Sequence, residues 1–128
     1  MRTTILLIFV IACALACKKS EPVQPGLFGK WEIRNRSGSI AGFDSTYKAG
    51  NGTIMQFNSD STYKYYIKNK LTLSGTFHIR PFGALGEVTH IYFNGDTIGQ
   101  PFSINGIEMN IGTSDDDGVV AHYVKVAN

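Results

Sequence analysis

Two cysteines, three histidines, a run of three aspartates and two tyrosines set two apart are the residues of this chain whose types and spacing could do chemistry. Cys13 and Cys17 stand at the end of an apolar run that carries no charge from Ile5 to Ala16. No core surrounds a pair in that position, so the chemistry on offer is modification of a thiol. His78, His90 and His122 fall on three separate predicted strands, and spacing does not gather them into a metal site. Asp115-Asp116-Asp117-Gly118 lacks the alternate oxygens over about a dozen residues that a calcium loop needs, and reads as a solvated turn. The serines lack the strand-to-helix elbow of a nucleophile. The expectation is a protein without catalytic residues, metal or cofactor. Tyr63 and Tyr65 are different: both face inward by period, and buried phenols need partners. They are the candidate ligand-binding residues.

Charge narrows the classes further. Twelve Lys and Arg are scattered among ten Asp and Glu, with no basic block longer than Lys18-Lys19. That pattern lacks the clustered footprint of a nucleic-acid binder. With 128 residues, the chain is sized for one modest domain.

Around the cysteines, Arg2 precedes the apolar run and Lys18-Lys19 follow it. About 20 apolar residues are needed to cross a bilayer. A positive start, a short apolar centre and small residues at the exit describe a secretory signal peptide over residues 1–16. Ala14-Leu15-Ala16-Cys17 resembles the lipobox of bacterial lipoproteins, in which the cysteine is diacylglycerated and becomes the first residue of the mature protein. Val10-Ile11-Ala12-Cys13 is a rival box that leaves a shorter apolar centre and strands Ala14 to Ala16 outside. The resemblance implies lipidation at Cys17 and a membrane partner held through an N-terminal lipid anchor. Each buried CH₂ contributes about 0.8 kcal/mol, so a multiply acylated cysteine stays put. By family analogy, Lys18 after the cysteine favours the outer membrane of a Gram-negative envelope. Residues 17–26, with two prolines in "KKSEPVQPG", read as the lipidated cysteine and an extended tether.

From Leu27 onward, glycines punctuate short runs rich in Ile, Val, Tyr, Phe and Thr, and no window of a dozen residues keeps a helical period. Trp31 and Ile33 alternate with Lys30, Glu32 and Arg34, which predicts a strand with one wet face. Met55 and Phe57, the polar cluster Asn58 to Ser61, and then Tyr63, Tyr65 and Ile67 predict a hairpin. Leu71, Leu73, Gly75, Phe77 and Ile79 repeat the alternation until Pro81, where the strand is expected to stop. Thr89 to Phe93, Gln100 to Ile104, Ile107 to Ile111 and Val119 to Val126 follow, with Asn105-Gly106 as a strong turn signal. A weaker segment near Phe43 to Lys48 brings the count to eight or nine. Closing such a set removes its unpaired edges. The expected fold for residues 27–128 is an all-β, antiparallel meander barrel, with a β-sandwich as the alternative.

The residues that open this domain, Leu27-Phe28-Gly29-Lys30-Trp31, resemble the Gly-x-Trp entry of the lipocalin and calycin barrels, and Gly29 and Trp31 are its structural positions. With "GNGTIMQFNSDSTYKYY", "SGTFHI" and "DDDGVVAHYVKV", the chain is similar to the lipocalin-like domains of small Gram-negative lipoproteins. The resemblance implies that Trp31 packs across the closed end, with Lys125 standing where that family has an arginine. It also implies a non-catalytic envelope protein that binds a small hydrophobic or amphipathic ligand. The alternative is a barrel that acts by its surface on a protein partner, such as an inhibitor of an envelope hydrolase or protease.

Overall fold

Short runs of β-branched and aromatic residues between turn residues form nine strands among the described residues, all antiparallel to their neighbours. The computed structural model describes residues 26–38, 42, 44–83, 86, 88–113 and 118–127. Its strands are β1 (Gly29–Gly38), β2 (Asp44–Thr46), β3 (Ile54–Phe57), β4 (Thr62–Ile67), β5 (Lys70–Phe82), β6 (Val88–Phe93), β7 (Gln100–Asn105), β8 (Glu108–Gly112) and β9 (Val119–Val126). No helix occurs among the described residues. Cys17, the signal segment, the tether up to residue 25 and the three aspartates lie outside them.

Each strand from β3 onward pairs with the next, and β9 returns to β1 from Lys30↔Val126 to Gly38↔Val119. This last pairing closes an eight-stranded meander barrel and decides against the sandwich. β2 is the extra strand, laid against the second half of β1. Closure leaves no free edge at the β1–β9 junction, which is the physical gain of a barrel over an open sheet.

Turn chemistry sets the register. Ile67 pairs with Lys70 across Lys68-Asn69, both with positive φ, as a type I′ hairpin requires. Asn105 pairs with Glu108, so the expected Asn-Gly turn is displaced by one residue: Gly106 (φ 61°) and Ile107 form the loop. Positive φ at the first loop position is the place for glycine in a type II′ turn. Ile107 thereby leaves the inward series and is exposed.

Three further expectations need correction. Pro81 does not end its strand; β5 runs on to Phe82, with Pro81 opposite Thr89. The N–H of Phe77 donates to the Ser61 carbonyl on the β4 side, whereas the Thr76 carbonyl accepts from Asn94 on the β6 side. Alternation then turns the Pro81 nitrogen to the β4 side, where β4 has already ended at Thr62↔Thr76, so no ladder bond is lost. Glu32 is not on a wet face but 4% exposed, under the loop from Gly50 to Thr53. Leu71 and Leu73 are 49% and 51% exposed, because their half of β5 pairs with β4 alone and β6 ends opposite Phe77.

The interior is filled at one end. Trp31, Phe57, Ile91 and Met109 are fully buried there, and Phe57 meets Phe77 edge-on with ring centroids 4.9 Å apart. Trp31 Nε1 donates to the Leu27 carbonyl at 2.6 Å. Lys125 Nζ lies 5.2 Å from the Trp31 ring centroid and donates to the Gly26 carbonyl at 2.5 Å. A lysine therefore covers the entry tryptophan, and the same side chain pins the start of the domain to the base.

Candidate functional site

Beyond the layer of Trp31 the barrel does not fill. A cup of about 930 Å³ opens to solvent, with walls from β1 and from every strand from β3 to β9. Ile33, Met55, Phe93 and Ile111 give it apolar sides. Tyr63 and Tyr65, the sequence candidates, both line it, as the alternation along β4 requires. Gly29 and Trp31 are not in the lining of the cup, and Trp31 is fully buried in the base.

The two tyrosines have different surroundings. Tyr63 is buried against Phe93 with ring centroids 4.8 Å apart, and its hydroxyl accepts from Asn94 Nδ2 at 3.1 Å. Asn94 Oδ1 in turn accepts the Thr76 N–H at 3.2 Å. This bridge between neighbouring strands exists because residue 75 is glycine, since a Cβ there would overlap the Asn94 side chain. Tyr63 is thus part of the wall. Tyr65 is only partly buried, and no hydrogen bond among the described residues occupies its hydroxyl.

Three cup residues escaped sequence reasoning: Arg36, Tyr47 and Tyr123. Arg36 should face outward by the alternation that buries Trp31 and Ile33. Between Ile33↔Tyr123 and Asn35↔His122, however, β1 carries one extra residue, Arg34. Such a bulge reverses the phase of the strand beyond it. Arg36 therefore turns inward, opposite Ala121. Nothing in "EIRNRSG" signals a bulge, since polar residues fill both phases after Ile33. Tyr123 was legible in principle, as the odd residues of β9 face inward and it follows Ala121 in that series.

Burial holds the Tyr123 hydroxyl well above its ordinary pKa; Tyr65 adds to the rise and Arg36 opposes it. Burial likewise raises Tyr65, against a smaller pull from Arg36. Both phenols stay protonated and remain donors at physiological pH. Under the loop from Gly50 to Thr53, on the outward phase of β1, the Glu32 carboxylate shows the reverse balance. Burial raises its pKa, but the N–H groups of Gly52 and Gly50, 3.0 and 2.9 Å away, together with the Arg34 guanidinium, outweigh burial and bring it below the ordinary value.

The histidines are dispersed: His78 stacks on Tyr92 and His90 on Phe82, while His122 approaches Glu108 at 4.0 Å. No group of three metal-ligating side chains occurs among the described residues. Comparison with protein-family models, curated proteins and solved structures finds no match to this chain.

Proposed function

We propose that this is a lipid-anchored protein of the cell envelope whose lipocalin-like barrel binds a small hydrophobic or amphipathic ligand and performs no catalysis. The cup carries the proposal. Its volume of about 930 Å³ falls in the range of roughly 300–1,000 Å³ that suits small-molecule sites. Apolar walls with a few convergent polar groups are the usual lining of such sites. Lipidation at Cys17 rests on the lipobox, and the outer membrane of a Gram-negative bacterium as its location rests on Lys18 by family analogy.

A second reading has its own observation. Ile67, Leu71 and Leu73 expose apolar surface around the hairpin at the mouth, which suits docking on an envelope protein such as a hydrolase. Native mass spectrometry of the protein isolated from its host's envelope separates the two. The ligand reading expects an extra mass of a few hundred daltons that disappears on denaturation. A reproducibly bare mass contradicts it and favours the surface reading. For the anchor, labelling with a palmitate analogue should succeed on wild type and fail on Cys17→Ala; failure on both removes the anchor.

A further inference from the structure

We infer that the ligand of the cup has an apolar tail and a single carboxylate head, and that Arg36 recognises that head. The inference rests on the ligand-binding reading above and adds the class of ligand. The bulge at Arg34 turns the Arg36 guanidinium toward the cup, and the small Ala121 opposite leaves room beside it. Arg36 is the cation among the described residues of the lining. Among the described residues, the carboxylates on its own strand and on β2 have other partners: Glu32 binds Arg34 and two backbone amides, and Asp44 Oδ1 accepts from Asn35 Nδ2 at 2.5 Å. Asp96, the acidic residue of the lining, follows β6, half-way round the strand order from β1.

The groups around Arg36 are donors. Tyr65 and Tyr123 keep their phenolic protons, and no hydrogen bond among the described residues uses either hydroxyl; Tyr47 completes the cluster. A guanidinium and phenols offer N–H and O–H groups to an acceptor-only head, which is what an ionised carboxylate is. An ammonium head would meet repulsion, and an alcohol head would forgo the charge. One cation also matches one negative charge better than the two of a phosphate monoester. The tail would lie along Ile33, Met55, Phe93 and Ile111, toward the filled base.

Calorimetric titration of the full chain in zwitterionic-lipid nanodiscs, against empty nanodiscs, tests this with decanoate, decanol and decyl phosphate. Wild type should bind decanoate at least tenfold more tightly than either of the others. Arg36→Met should lose that preference, binding decanoate no more tightly than decanol, while melting at the wild-type temperature. Tyr65→Phe, which leaves the charge in place, should weaken decanoate a few fold while keeping its preference over decanol. Equal binding of decanoate and decanol, a preference for decyl phosphate, or a carboxylate preference that survives Arg36→Met overturns the inference while leaving the ligand-binding barrel standing. No binding of any of the three overturns both.

Discussion

The base and the cup of this barrel are built from the same strands, yet they obey different rules. In the base, alternation is strict: Trp31, Phe57, Phe77, Ile91 and Met109 all point inward and fill the space between the strands. At the cup, the regular pattern breaks. A bulge reverses β1, another irregularity falls between Tyr65 and Tyr66, and Leu71 and Leu73 stay half exposed. A filled layer gives stability through apolar burial and dispersion. An unfilled one gives up that contribution and leaves a volume that another molecule can take. The contrast teaches that stability and open volume are carried here by separate layers, so mutations should divide accordingly.

The largest expected effect breaks the base. Trp31→Ala removes a fully buried ring together with its bond to Leu27 and the seat of Lys125, and should cost about 3–5 kcal/mol in chemical denaturation. A loss below about 1 kcal/mol would mean that the base is not the stabilising layer. Next comes the strand-bridging asparagine. Gly75→Ala pushes Asn94 from its bonds to Thr76 and Tyr63 and should cost roughly 2 kcal/mol. Unchanged stability would show that the bridge carries no load.

Acid offers a third probe. Because the Glu32 carboxyl lies below its ordinary value of 4.5, the unfolded chain takes up this proton first as pH falls. Stability is therefore complete at neutral pH and is lost as pH drops below about 4.5 and through the folded value. Glu32→Gln should lower neutral stability by roughly 1–2 kcal/mol and flatten that acid limb. An acid limb as steep as wild type would assign the effect to other carboxylates. The smallest effects divide the two tyrosines: Tyr63→Phe should cost about 1 kcal/mol, since Asn94 loses an acceptor, and Tyr65→Phe less than about 0.5. Equal losses would erase the distinction between wall and cup.

This division also explains what could be read from sequence. Period-two alternation marks the base residues, and polar clusters such as Asn58 to Ser61 mark the turns, because both follow from local geometry. The all-β class, the meander and the inward face of Tyr63 and Tyr65 come from those two signals. Closure comes from pairing between the first and last strands, which no local pattern records. Arg36 depends on a single inserted residue among polar neighbours, and Pro81 on which edge of its strand has a partner. Such phase and partner effects are properties of two strands together, and one sequence window contains only one of them.

Hydrogen exchange is the measurement that tests the division most directly. It would compare the protein as isolated from its host, carrying the ligand proposed above, with the same protein after extraction of that ligand. The base segments around Trp31, Phe57 and Met109 should exchange slowly in both. The walls around Tyr65, Ile111 and Tyr123 should exchange faster once emptied. Identical exchange in the two preparations, or a loss of protection spread evenly through base and cup, would contradict the division.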